Sequence, residues 1–462
     1  MQDSAAFTEL MALRTGESPT EILGLIGADP ILPTRFRLGE SAAAIHLAIG
    51  IAVNDLWQIR TGNRQDLSID VRHAAATLKS FEYFRENSEA GQAAWSQRNL
   101  RAGISTPHPA KDGRYFLPHM GMPHLAERIL KILKCDYDLD SVKKAVAQWD
   151  ALDLENAIAD AKGCGAMVRS QQEWSSHPHG ELMANKPALE ILKIGDSEPE
   201  LKADAGRPLA NYRVMDLTRI LAGPTCARTL AEHGADVLMV TAEHLPQAGR
   251  FVQDTSHGKR SCFLDLRRAD EYDKLSELIQ QADVFSQGYR PGIMDKLGLS
   301  PEQLAERRPG IIYTSMNCYG YQGPFKDRAG WEQLAQTVTG IAHEHGGDRP
   351  RLLPAAACDY TTGYLAAYGT LLALGLRARF GGSYHVKASL CQSGMFLQRQ
   401  PRVDLPDSSV GIEPSQLSSV LQEIDSDYGS IGFLGPVLQM SETSPSWTRS
   451  SPKLGSHQPE WS

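Results

Sequence analysis

From Tyr212 onward, short apolar runs alternate with amphipathic stretches of ten or more residues. Arg213 to Leu217, Ala235 to Val240, Cys262 to Leu266, Asp283 to Ser286 and Gly310 to Ser315 read as strands. Ala222 to Glu232 and Asp270 to Gln281 read as helices between them. Strands spaced by helices of this length form parallel βαβ units, with helices covering both faces of one sheet. Residues 212–395 therefore predict a doubly wound, mostly parallel, Rossmann-like α/β core. Residues 1–200 carry a different pattern and read as a mainly helical region. There Ser41 to Ile59 is rich in Ala, Ile and Leu, Leu125 to Leu133 and Val142 to Ala161 place apolar residues at helical spacing, and Leu67 to Val71 is the main strand signal. The charged, Pro- and Gly-punctuated stretch 195–211 reads as a linker. The Ser- and Pro-rich residues 402–462 read as a tail, extended over the surface or partly disordered.

A faint repeat runs through this pattern. Shifting residues 39–75 by 319 positions sets Ala48 on Ala367, Gly50 on Gly369, Arg60 on Arg379 and Gly62 on Gly381. Both copies read as an acidic residue, a helix, an Arg-X-Gly turn and a strand, and Glu40 falls on Asp359.

Composition narrows the classes. The chain has 462 residues, enough for two or three packed units, with 42% hydrophobic and 22% charged residues. A net charge of -8 argues against a nucleic-acid partner. The most apolar stretch, Tyr364 to Leu376, is too short to cross a bilayer and reads as a buried helix. Seven scattered cysteines without metal-ligand spacing, and a beginning without a basic and apolar leader, lead to the expectation of a reducing, cytoplasmic setting. Glycine-rich phosphate loops of the dinucleotide and nucleoside-triphosphate types are absent. His-Pro-His at 177–179 and His-Glu-His at 343–345 lack a third ligand at usable spacing and read as solvated loop histidines.

The remaining motifs come in order: Val214 to Arg219, Ile220 to Pro224, Gly234 to Val237, Gly258 to Ser261, Tyr289-Arg-Pro-Gly292, Gly298 to Pro301, Gly330 to Gln336, Asp359 to Gly363 and Gly382 to Val386. This series resembles the class III CoA-transferases, the CaiB/BaiF family, which includes α-methylacyl-CoA racemase. Residues 55–75, Val168 to Trp174 and Pro187 to Gly195 resemble the family's rear half. The whole looks like the rear, small-domain half of one unit followed by the CoA-binding front half of a second.

The resemblance implies the CoA-transferase III fold, and a homodimer or an internal pseudo-dimer. It implies coenzyme A as a substrate rather than a resident cofactor, and an acyl-CoA and a small carboxylic acid as partners, with no nucleic acid, membrane or metal. Asp359 would be the nucleophile, at the opening of a helix whose dipole favours its ionised form; the other reading of Asp359 is a simple helix cap. Glu332 would lie near the acyl group, Ile220 and Leu221 against the adenine, Tyr289 on the nucleotide, and Arg267 and Lys296 towards the phosphates. The racemase branch needs a histidine where this chain has Trp331, so transfer is preferred over racemisation, with a catalytically degenerate scaffold as the third reading.

Overall fold

The strand runs of the second half pair into one sheet. In the computed structural model, which describes residues 4–14, 18–86, 102–202, 206–405 and 410–462, the strands Lys259–Phe263, Asp236–Thr241, Arg213–Asp216, Val284–Gln287, Ile312–Asn317 and Ser383–Ser389 lie side by side and parallel. Glu190–Gly195 closes one edge antiparallel to Ser383–Ser389. This is the doubly wound, mostly parallel α/β core that the alternation predicts.

Two boundaries differ from the pattern. The strand expected at Cys262 to Leu266 begins three residues earlier, because Gly258 turns the chain at φ 78° and pairing starts at Lys259. A lysine is a poor strand signal, but here its ammonium is fully buried on Asp216 at 2.8 Å and on the Pro224 carbonyl at 2.9 Å. The stretch Val142 to Ala161 is two helices, Leu139–Val146 and Ala151–Asp160, rather than one. Asp112 accepts the Ala151 amide and the Trp149 carbonyl accepts the Lys111 amide, so contacts distant in sequence divide them.

The described part of residues 1–200 feeds two cores. Helix Leu38–Thr61 packs on helix Ala357–Phe380 within the large core against the sheet, whereas Ile104, Phe116, Ile129, Val142, Leu154 and Ile158 form a separate cluster. Leu38–Thr61 is long and apolar enough to span a bilayer, a length the apolar-run reading passes over, but 89% of its most apolar window is buried inside the protein. Burial all round explains why neither long helix has an apolar stripe. Beyond Arg402 the chain forms the hairpin Leu421–Ser426 and Gly429–Leu434, and then runs over the surface. The Trp447 indole N–H is bonded to the Arg228 carbonyl and that of Trp461 to the Leu278 carbonyl.

Helix Ala357–Phe380 is pressed against helix Ala222–Glu232 at Gly363. A Cβ there would sit 2.5 Å from the Ala222 carbonyl oxygen and 2.8 Å from the Thr225 Cβ. Gly363→Ala is therefore expected to destabilise the fold by about 1–3 kcal/mol, read from urea unfolding.

Candidate active site

Counted in chain order, the six parallel strands lie 3-2-1-4-5-6, so the order reverses between Arg213–Asp216 and Val284–Gln287. At such a reversal the connections leave towards opposite faces, and a crevice opens at the carboxyl ends of the two strands. Ile220 and Leu221 follow the first strand directly, and Tyr289 follows the second. Asp216 shapes the first loop. One of its oxygens accepts the Thr218 amide at 3.0 Å and the Thr218 hydroxyl, while the other holds the Lys259 ammonium. Ile220 sits at φ 77°, a costly conformation for a β-branched residue. Leu221 then caps helix Ala222–Glu232. The Tyr289 amide is bonded to the Gln287 side chain at 2.7 Å, which leaves its ring half-buried at the crevice mouth.

These three residues follow the two strands that flank the reversal, and one of the two expected cations, Arg267, does not. Arg267 is exposed beyond strand Lys259–Phe263, two strands from the reversal, and forks onto Asp265 with contacts of 2.6–3.1 Å. Lys296 is exposed at the end of helix Ile293–Lys296. Two other arginines take the nearer positions. Arg219 lies beside Tyr289, its guanidinium bonded to the Pro246 carbonyl and its Nε buried with no partner among the described residues. Arg219, Arg290 and Arg128 together face His124, and burial followed by these three charges lowers the proton affinity of His124. Arg219 and Arg290 stand inside recognised motifs, Val214 to Arg219 and Tyr289 to Gly292. Nothing in the sequence of helix Pro123–Leu133 marks His124 and Arg128 as their neighbours.

Asp359 is the third residue of helix Ala357–Phe380, not its cap, and is 8% exposed. The cap of this helix is supplied from outside. The Glu332 carboxylate, itself 5% exposed at the start of helix Glu332–Thr339, accepts the Cys358 amide at 3.1 Å and the Asp359 amide on its other oxygen. Gln336 braces Glu332 from one turn along, and its own side-chain oxygen takes the Leu353 amide at 2.7 Å. Glu332 is thus tied to the first turn of the Asp359 helix, an arrangement that needs both helices in place. Among the described residues, no group donates a hydrogen bond to the Asp359 carboxylate.

The expectation that the helix dipole keeps Asp359 ionised does not hold as stated. Burial pushes its proton affinity well above the usual carboxylate range, and the nearby Glu332 adds to the shift. Burial likewise raises Glu332 to about 7 against its stabilising hydrogen bonds. Two carboxyl groups this close in a dry site favour sharing a proton over ionising together. Gly363, one turn beyond Asp359, abuts Ala222, so the carboxyl pair stands beside the Ile220–Leu221 loop.

Trp331, immediately before Glu332, stacks on the buried ring of His119, with centroids 4.6 Å apart. The histidines at 177–179 are not both solvated. His179 is fully buried, with Nε2 bonded to the Tyr319 carbonyl at 2.7 Å and Nδ1 accepting the Phe325 amide. Among the described residues, no group of three or more His, Cys, Asp or Glu side chains is arranged to hold a metal ion.

Sheet order and the buried carboxyl pair define an open α/β protein with two acidic residues beside its reversal point. Residues 209–411 match the family model described as CoA-transferase family III. Acetyl-coenzyme A transferase nodX of Hypoxylon pulicicidum is 30% identical over 419 residues, covering 80% of this chain and 70% of that protein. The beta subunit of succinyl-CoA–L-malate CoA-transferase of Chloroflexus aurantiacus is 36% identical over 206 residues, covering 40% of this chain and 50% of the relative. Among solved structures, Rv3272 of Mycobacterium tuberculosis aligns with 30% identity and a TM-score of 0.40, over 42% of this chain and 58% of that one. The chain belongs to CoA-transferase family III, and at that level it is an acyl-CoA transferase.

Proposed function

We propose that this protein moves CoA from an acyl-CoA thioester to a small carboxylic acid through covalent intermediates on Asp359. The observation that supports this most is a buried carboxylate with no hydrogen-bond donor among the described residues, in the first turn of a helix that Glu332 already caps. A carboxylate that caps nothing and accepts no hydrogen bond from a neighbouring group keeps its lone pairs for a substrate carbonyl. Asp359 attacks the thioester carbonyl carbon, the C–S bond breaks, and a mixed anhydride and CoA thiolate result. The thiolate then attacks the aspartyl carbonyl, giving an aspartyl thioester and releasing the donor acid as its carboxylate. An acceptor carboxylate attacks that thioester and releases the thiolate again. The thiolate attacks the acceptor's acyl carbon in the new anhydride, and Asp359 returns as a carboxylate. The two carboxyl groups share a proton in the dry site, and it is the ionised form of Asp359 that makes the first attack.

Hydroxylamine trapping tests the reading. After incubation with an acyl-CoA, a hydroxamate is expected on Asp359 together with loss of activity; an unmodified Asp359 would point to the scaffold reading instead. Nothing favours racemisation, since the position that would carry its second base is Trp331.

In the crevice, Ile220 and Leu221 would pack on the adenine and Tyr289 on the nucleotide, with Lys296 reaching towards the phosphates; Arg267, forked onto Asp265 two strands away, drops out of the set. Arg219 and Arg290 join this set, because they line the same mouth and guanidinium forks suit phosphate oxygens. Arg290→Ala is expected to raise the KM for acyl-CoA about tenfold with kcat little changed, in steady-state assays.

A further inference from the structure

The two halves of the faint repeat have the same local structure. Under the shift of 319 positions, helix Leu38–Thr61 falls end to end on Ala357–Phe380, with Glu40 and Asp359 both third. Each helix leads through a glycine to a strand, Leu67–Asp70 or Ser383–Ser389, and then to a helix, Val71–Thr77 or Leu390–Arg399. Each strand pairs in parallel with an earlier one, Leu23–Ile26 or Ile312–Asn317. Asp70 and Ser389, equivalent under the shift, both cap the helix that follows. Gly50 lies against Leu67 as Gly369 lies against the equivalent Val386. The cap is repeated too. Asp29 accepts the amides of Gly39 at 3.2 Å and Glu40 at 2.8 Å, the counterparts of the two amides that Glu332 accepts.

The copies part where the acyl chemistry would be. Asp29 follows its strand by three positions and Glu332 follows its own by fifteen, so the first copy lacks a counterpart of Cys318–Trp331. Position 37 holds an arginine where the second copy has Ala356. Arg37 grips a Glu40 oxygen at 2.7 Å, and the other oxygen faces the Asp29 amide at 3.4 Å. A carboxylate held by a guanidinium has its charge compensated and its lone pairs engaged, which makes it a poor nucleophile.

We infer that the chain carries a second, silenced copy of its own acyl-accepting site, in which Arg37 occupies Glu40, so that each chain accepts one acyl group, at Asp359. This rests on the covalent reading above. The test uses the full chain, acetyl-CoA and succinyl-CoA as probes, and hydroxylamine trapping with peptide mapping. Wild type and Glu40→Gln should each carry at most one hydroxamate, on Asp359, and Glu40→Gln and Arg37→Ala should keep kcat within about twofold of wild type. A hydroxamate on Glu40 in wild type, or loss of turnover in Glu40→Gln, overturns the inference. The ion pair is checked apart from acylation. Glu40→Gln, Arg37→Ala and the double variant should lower Tm equally, to within about 1 °C, because each breaks the same contact. If no carboxylate is trapped in any protein, the covalent reading fails, and this cycle alone decides Glu40: additive losses in the double variant overturn the silencing, and equal losses support it.

Discussion

Asp359→Asn should lose about three orders of magnitude or more in kcat while folding at least as stably as wild type. The amide has nearly the same shape, but it is neutral and does not form the anhydride. The stability side follows from burial. Folding raises the proton affinity of Asp359 well above that of the unfolded chain, so its contribution is fully present in acid and is lost as pH rises from the unfolded carboxylate range through the folded value. An asparagine carries no such loss. The expected result at pH 8 is a dead enzyme with an unchanged or higher urea midpoint, still binding acyl-CoA in a thermal-shift assay. Turnover near the wild-type rate would end the proposed chemistry. A dead enzyme that was also unfolded would show that the residue acts structurally.

Changing Glu332 should do the opposite, costing stability first. Glu332→Ala leaves the Cys358 and Asp359 amides without their acceptor in a dry site, a loss of about 2–4 kcal/mol. It also frees the turn that carries the nucleophile. Glu332→Gln keeps one acceptor oxygen and removes the titration, which gives a cleaner readout. Burial raises Glu332 to about 7 in the folded protein against 4.5 for the ordinary group, so the native state holds an extra proton between those values and stability falls as pH rises from about 5 to 7. Urea midpoints measured across that window should slope downward in wild type and less steeply in Glu332→Gln, where Asp359 alone still titrates. An identical slope in both proteins would remove Glu332 from the proton-sharing pair. Retention of most activity in Glu332→Gln, with kcat no longer changing near pH 7, would make its role mainly that of a cap.

The alternation of apolar runs and helices was enough to read the sheet, because a strand buried on both faces must be apolar along its length. It failed where a strand begins with Lys259, whose ammonium is satisfied by the Pro224 carbonyl and by Asp216, a residue 43 positions away. The residues around the crevice were legible for a similar reason: Ile220, Leu221 and Tyr289 stand directly after strand runs, so placing the strand ends places them. Arg128 and His124 were not legible, since the small helical cluster that carries them reaches the crevice only through tertiary packing. The helix of Asp359 was visible as an apolar run, but the group that caps its first turn was not. Its actual cap lies 27 residues upstream, on a separate helix.

What the sequence determined alone is everything that depends on neighbours along the chain: the strand and helix runs, the turns between them, the acidic residue in the first turn of an apolar helix, and the repeat at a fixed spacing. What the tertiary structure decided is the protonation and pairing of Asp359. Glu40 and Asp359 occupy the same place in the same local structure; Glu40 meets a guanidinium three residues before it, but only packing sets Asp359 against a second carboxylate 27 residues upstream. Proton affinity and nucleophilicity follow from burial and from charges brought close by folding. Local pattern can therefore place a carboxylate, but it takes the packed structure to set what that carboxylate can do.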